Sequence, residues 1–101
     1  MLDNYSVKLL SRAYRDLEDI YEYIATRLQE PGIAQKLADK LEEGIFSLET
    51  FPHRCTMRKN GAYADKGYRQ LFVNNFTVIF RVDEAKKQVI VVTVRYSKSQ
   101  F

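Results

Sequence analysis

The stretch "GYRQLFVNNFTVIFRV", residues 67–82, decides the architecture of this chain. It holds two apolar runs on either side of Asn74-Asn75, and asparagine tolerates the positive φ angles of a two-residue type I′ turn. With that turn, Leu71 faces Val78 across the hairpin, and alternate residues of both strands form one apolar face. The stretch therefore predicts an antiparallel hairpin whose apolar face packs against a second layer of the domain.

Three arginines lie on or beside the strands of this half of the chain: Arg69, Arg81 and Arg95. The predicted register places Arg69 opposite Phe80 at the outer end of the apolar face. It places Arg81 opposite Tyr68 on the other face, which is the more polar one. Arginines at such positions either snorkel and pair with acids, or use their planar guanidinium groups to hold phosphate. Acids are scarce in this half, which favours the phosphate clamp.

The rest of the chain shows the periodicities of two helices and two further strands. Residues 5–10 alternate in polarity as a half-buried strand does, and Ser11 suits a helix N-cap. Residues 88–94 are apolar throughout, which predicts an internal strand covered on both faces. Two amphipathic helices with a short break between them account for residues 12–28 and 31–48.

These elements predict an α+β domain in the order β-α-α-β-β-β. A small, twisted, mainly antiparallel sheet carries a helical hairpin on one face. The 101 residues suit one domain, 1–101, with a single core. The helix positions predicted to face the hairpin are Leu17, Ile20, Ile24, Leu37, Leu41 and Ile45.

Charge is distributed unevenly along the chain. Residues 1–50 hold six Lys/Arg against ten Asp/Glu, whereas residues 51–101 hold ten against three. Such a division either keeps two surfaces soluble or makes one of them attractive to polyanions. Residues 51–66 show no sustained period, and a loop of this length is often functional. Its cations are Arg54, Arg58, Lys59 and Lys66.

The sequence lacks the residues that several classes of function require. The single Cys55 cannot form an internal disulfide, and with one histidine, His53, the sequence predicts no metal site and no cofactor. His53 is either an acid/base at the mouth of the loop or a surface residue without a role. No phosphate loop or hydrolase nucleophile motif is present. Because no apolar run is long enough to span a membrane, we expect a cytoplasmic protein.

Tyrosines near the arginines point to one kind of nucleic acid. Tyr68 and Tyr96 can stack on an unpaired base or move a proton. No helix is basic enough to serve as a recognition helix. The residues therefore favour single-stranded RNA over duplex DNA.

Four segments together resemble the toxins of the RelE/ParE superfamily of bacterial type II toxin–antitoxin modules. They are "AYRDLEDIYEYIA" (13–25), "LEEGIFSLETFP" (41–52), "GYRQLFVNNFTVIFRVD" (67–83) and "VIVVTVRYSKSQF" (89–101). The resemblance implies an acidic antitoxin as partner and one of two activities. RelE-like members cut mRNA on the ribosome, as metal-independent endoribonucleases, and ParE-like members poison DNA gyrase. A catalytically decayed module that only binds its antitoxin is a third reading.

The resemblance also implies a functional site, and its residues lead us to favour mRNA cleavage over gyrase inhibition. Arg69 matches the arginine that stabilises the phosphate, and Tyr96 lies where members place a tyrosine or histidine near the C-terminus. One subgroup ends in Arg-Tyr-His-Tyr, but here Ser97 follows Arg95-Tyr96, so that histidine is missing. The predicted catalytic set is Arg69, Tyr96, Lys59 and Arg81. The predicted RNA contacts are Arg54, Arg58, Lys66, Arg95 and Lys98.

Overall fold

The computed structural model describes residues 4–98. Its helices and strands are β1 (Ser6–Leu9), α1 (Ser11–Glu22), α2 (Pro31–Phe46), β2 (Thr56–Met57), β3 (Arg69–Val73), β4 (Phe76–Asp83) and β5 (Gln88–Tyr96). A π-helical turn, Tyr23–Arg27, extends α1, and short 3₁₀ turns follow α2 at Ser47–Glu49 and Pro52–Arg54. The predicted order is confirmed, with β2 as an additional short strand inside the loop predicted to be irregular.

The strands form one five-stranded sheet in the order β1-β5-β4-β3-β2. Only β1 and β5 run parallel, and the other neighbours are antiparallel, as predicted. The hairpin has the predicted register, with Leu71 opposite Val78 and Arg69 opposite Phe80. The turn has the predicted two residues but not the predicted type I′ geometry, because φ is positive at Asn74 (52°) and not at Asn75.

One predicted pair of the hairpin is wrong. The β3–β4 ladder begins at Arg69, so Tyr68 does not pair with Arg81; its ring instead packs edge-on against Tyr63, with centroids 5.1 Å apart. On the more polar face, Thr77 and Ile79 of β4 expose only 1% and 0% of their surface, whereas Phe72 and Arg81 are exposed. The sheet is thus covered on both faces over its middle strands.

The core lies between the helices and the sheet. Leu37, Leu41 and Ile45 of α2 are buried in one cluster with Val78 and Phe80 of β4. The predicted α1 positions pack against this cluster and are partly buried: Leu17, Ile20 and Ile24. The predicted core is therefore confirmed.

A side-chain contact beside a β-bulge fixes α1 to the sheet. The β4–β5 ladder passes from Ile79–Thr93 to Phe80–Val91, which leaves Val92 as an extra residue. Beside the bulge, one carboxylate oxygen of Asp16 accepts hydrogen bonds from the Thr93 hydroxyl and, at 3.1 Å, from the Val94 N–H. The Asp16 side chain thus connects α1 to β5.

The start of α1 also differs from the prediction. Ser11 is the first helical residue rather than the N-cap, and Leu10 occupies the cap position without a side-chain bond. The Leu10 N–H still donates to Val91 of β5 at 3.0 Å, and its carbonyl accepts from Tyr14 at 3.2 Å. The strand therefore runs directly into the helix, because Leu10 takes part in both.

Candidate functional site

Arg69 lies at the start of β3 and holds the preceding loop against the sheet. Its guanidinium Nη1 donates to the Cys55 carbonyl at 2.7 Å and to the His53 carbonyl at 3.3 Å. The side chain is half-buried. Arg69 therefore stabilises the 3₁₀ turn and β2, a role that the sequence did not indicate.

Tyr96 lies toward the opposite end of the strands. It pairs with Phe76, and the two rings pack edge-on with centroids 5.7 Å apart. Arg69 pairs instead with Phe80, four residues further along β4. At about 3.3 Å per strand residue, some 13 Å of β4 separates the two positions. Where one subgroup has its histidine, Ser97 shares a hydrogen bond of 2.8 Å with the Thr77 hydroxyl.

Arg81 and Lys59 do not complete a constellation around Arg69 either. Arg81 follows Phe80 on β4, so its side chain lies on the opposite face of the sheet from Phe80 and from Arg69. Lys59 follows β2 at the sheet edge and is exposed. Arg69, Arg81 and Tyr96 of the predicted catalytic set are thus dispersed, whereas Lys59 lies two residues beyond Met57, the partner of Arg69 in β2.

The predicted RNA contacts also fall into separate places. Arg54 contacts the chain between the two 3₁₀ turns, where its guanidinium donates to the Thr50 and Phe51 carbonyls at 2.9 and 3.0 Å. Arg95 lies near Tyr96, with Nε 3.3 Å from the Thr93 hydroxyl oxygen. Lys66 is exposed in the loop before β3, and Lys98 is exposed just beyond β5.

Arg58 and Lys59 share a groove at the β2 edge of the sheet, which we call the edge groove. Its volume is about 460 Å³. Its lining consists of Thr56, Met57, Arg58, Lys59, Asn60, Gln70 and Phe72. Two cations and no acid line it, so it is a basic concavity.

A larger groove of about 920 Å³ lies between the helices and the end of the hairpin, and we call it the helical groove. Its apolar lining includes the exposed side chains of Tyr23, Leu28 and Ile33. Charged residues of both signs surround them: Asp16, Asp19, Lys36, Lys40 and Arg95. An exposed apolar surface with a charged rim is typical of a protein-binding site.

A cluster of ionisable side chains that the sequence did not reveal surrounds Glu84. The Tyr5 hydroxyl donates to the carboxylate at 3.1 Å, Lys87 Nζ lies 3.2 Å away, and His53 Nε2 lies 2.5 Å away. The hydrogen bond from Lys87 is the main cause that lowers the pKa of Glu84. Burial is the main cause that raises the pKa of the Tyr5 hydroxyl. The cluster joins the residue before β1, the second 3₁₀ turn and the β4–β5 turn, which are distant in sequence.

Among residues 4–98, Cys55 is the single cysteine. These residues contain no group of three or more His, Cys, Asp or Glu side chains placed to hold a metal ion. Cys55 is buried, and that burial raises the pKa of its thiol, which disfavours the nucleophilic thiolate. No helix in this part of the chain is long and apolar enough to cross a membrane.

A helical hairpin packs on one face of a small mixed sheet, as the resemblance to the RelE/ParE toxins implies. The family model described as "ParE toxin of type II toxin-antitoxin system, parDE" matches residues 7–101, and the chain belongs to this family. It is thus the toxin of a type II toxin–antitoxin system. No curated protein sequence matches it.

Solved structures share the fold at low sequence identity. The chromosomal ParDE system of P. aeruginosa has a TM-score of 0.76 and 23% identity, covering 93% of this chain and 97% of that one. The RelBE2 complex of Mycobacterium tuberculosis has a TM-score of 0.65 and 20% identity, covering 93% and 92%. A mutant of E. coli RelE in the free state has a TM-score of 0.63 and 11% identity, covering 94% and 85%. These likenesses confirm the predicted fold class.

The contacts of Arg69 lead to a first prediction. Arg69→Met keeps the apolar stem but removes both hydrogen bonds to the loop carbonyls, and we expect it to lower the free energy of unfolding by about 1–3 kcal/mol. Amide exchange of residues 53–57 should become faster than in the parent. Arg81→Met is the matched control, since Arg81 is exposed and makes no such contact. Equal exchange in the two variants would contradict the anchoring role.

Proposed function

We propose that this toxin inhibits DNA gyrase and does not cut mRNA. The observation that carries the proposal is the dispersal of the predicted catalytic set. In-line attack of a 2′-hydroxyl needs a base, a phosphate-stabilising cation and an acid around one phosphate. Arg69 and Tyr96 are separated along β4, and Arg69 already donates to two backbone carbonyls.

Membership of the ParE family supports the same choice. The resemblance found in the sequence implies that ParE-like members poison gyrase, and the family model covers residues 7–101. An inhibitor of this kind needs a stable surface rather than a set of reacting groups. The sequence alone favours mRNA cleavage because of its basic loop together with Arg69 and Tyr96. The separation of these residues in the sheet reverses that preference.

The proposed regulator is an acidic antitoxin that covers the helical groove. ParDE and RelBE2, named above, are toxin–antitoxin systems, the latter solved as a complex. The exposed apolar side chains of the helical groove suit the apolar face of an amphipathic helix, and Lys36, Lys40 and Arg95 suit acids along its sides. Expression of the chain alone should arrest growth, and expression together with the antitoxin should relieve the arrest.

A second prediction separates the two activities. Purified toxin added to gyrase and relaxed plasmid should block supercoiling and leave broken plasmid after protein removal. The same toxin added to translating ribosomes should leave the mRNA uncut in primer extension. Tyr96→Phe removes only the hydroxyl, so it should retain activity against gyrase. Cut mRNA together with uninhibited gyrase would overturn the proposal, as would a folded toxin that is inactive in both assays.

Ribosome-dependent mRNA cleavage is the second candidate, and the edge groove is the observation that favours it. Arg58 and Lys59 lie there beside the exposed ring of Phe72, without an acid among the lining residues. If mRNA cleavage is the activity, Tyr96→Phe and Arg69→Met should each reduce cutting. Removal of one preorganised donor commonly lowers the rate by about 10²–10³-fold.

A further inference from the structure

Three exposed aromatic side chains lie around a second groove, between α1 and α2, and we call them the tyrosine face: Tyr14, Tyr21 and Phe46. They expose 58%, 39% and 48% of their surface. The groove that they line has a volume of about 300 Å³, and its other lining residues are apolar except for Glu42. Exposed aromatic rings around an apolar groove are typical of a protein-binding surface.

The tyrosine face is separate from the helical groove. Asp16 and Asp19, which line the helical groove, lie two residues from Tyr14 and Tyr21 along α1. Two residues turn an α-helix by about 200°, so these acids lie on the other side of α1 from the tyrosines. A partner on the tyrosine face therefore leaves the helical groove open to the antitoxin.

The charges beside the tyrosine face change from basic to acidic along α1. Arg15 and Glu22 directly follow Tyr14 and Tyr21, and about two helical turns separate them, so they lie on one strip of the helix. Among residues 4–98, neither Arg15 nor Glu22 forms an ion pair. Arg12, in the first turn of α1, opposes the helix dipole. This order of charges therefore contributes little to the stability of a single chain.

The same order fits a second copy of the chain. A two-fold axis across α1 brings the same strip of two helices together in opposite directions. The Arg15 of each copy then lies against the Glu22 of the other copy, and the tyrosines of the two copies meet beside these pairs. A partner of one uniform charge would match only one end of the strip.

We propose that the tyrosine face is an interface between two copies of this toxin, which pair through antiparallel α1 helices. This self-association goes beyond the proposed action on gyrase and does not depend on it. Both helical grooves stay accessible in the pair, so it can carry two antitoxin molecules.

Analytical ultracentrifugation of the purified full chain at low salt measures the self-association. The mass should rise from that of one chain to that of two as the concentration increases. Tyr14→Gln should weaken the dimer by about tenfold or more, because an aromatic side chain at the centre of an interface is lost. Tyr23→Gln is the matched control, since Tyr23 is 52% exposed but lines the helical groove, and the dimer should keep its affinity.

Charge reversal tests the antiparallel pairing. Arg15→Glu and Glu22→Arg should each weaken the dimer by about tenfold or more, because like charges then oppose each other across the interface. An equimolar mixture of the two variants should form a heterodimer of parent-like affinity, since each altered residue then meets an opposite charge. Glu18 lies between them, near the two-fold axis and its own copy, so Glu18→Gln should strengthen the dimer. Arg81→Glu reverses an exposed charge on the sheet and should leave the affinity unchanged.

Three outcomes would overturn the proposal. The first is a single chain at every concentration up to about 1 mM. The second is a dimer that keeps its affinity in Tyr14→Gln and in both charge reversals, because it would use another surface. The third is a mixture of the charge variants that associates no better than either variant alone. None of these measurements involves gyrase, so they fail independently of the proposed function.

Discussion

Val78→Asp should strongly destabilise the fold of this toxin. Val78 is fully buried in β4, between Leu71 of β3 and Val94 of β5. A carboxylate there loses its hydration and has no cation within the cluster around it. We expect a loss of about 4 kcal/mol or more, against a total stability of about 5–15 kcal/mol for a typical domain.

Urea denaturation at pH 7, followed by circular dichroism, measures the effect. Val78→Thr has nearly the same shape and should lose only about 1–3 kcal/mol, because a hydroxyl is far less costly to bury than a charge. Asn75→Asp introduces a carboxylate at an exposed position of the same hairpin and should melt like the parent. Parent-like stability of Val78→Asp would show that the hairpin register is wrong.

Asp16→Ala should give the second largest loss of stability. The substitution leaves the Thr93 hydroxyl and the Val94 N–H without their acceptor beside the bulge. Lost hydrogen bonds to a charged group are worth about 1.5–3 kcal/mol each. Because the Asp16 carboxylate is only half-buried, we expect a total loss near the lower end, at about 2 kcal/mol. At about 4–8 °C per kcal/mol, the melting temperature should fall by about 10 °C.

The carboxamide provides a sharper test of the same contact. Both donors bind a single oxygen of Asp16, so Asp16→Asn can keep both bonds and should recover much of the lost stability. Asp19→Ala, three residues along α1 and exposed, should change the free energy of unfolding by less than about 0.5 kcal/mol. If Asp16→Ala and Asp19→Ala melted alike in calorimetry, the contact would not stabilise the protein.

The site shows how far proximity in sequence can mislead. Arg81 and Arg69 are close in the hairpin register, yet adjacent strand residues point to opposite faces, and only Arg69 lies on the helix side. Tyr96 and Arg95 lie near the C-terminus, and no periodicity in the sequence predicts which end of β4 they pair with. The register with Phe76 and Thr77 is set by β5 as a whole, including its bulge.

Contacts between distant segments were also invisible before the fold was known. The bonds from Arg69 to the His53 and Cys55 carbonyls join positions 16 and 14 residues apart. The Tyr5 bond to Glu84 spans 79 residues. No spacing rule predicts such contacts, because they depend on where three or more elements meet.

The amino-acid sequence by itself determined the elements, their order, the hairpin register and the core. Each of these follows from local signals: the asparagine pair at the turn, the periods of apolar residues and the short break between the helices. The family resemblance could be read from the same segments. Only the tertiary structure decided which charged side chains share a surface, because strand pairing, the bulge and the helix contacts place residues that are remote in the chain. That placement separates Arg69 from Tyr96 and brings Phe72 beside Arg58 and Lys59.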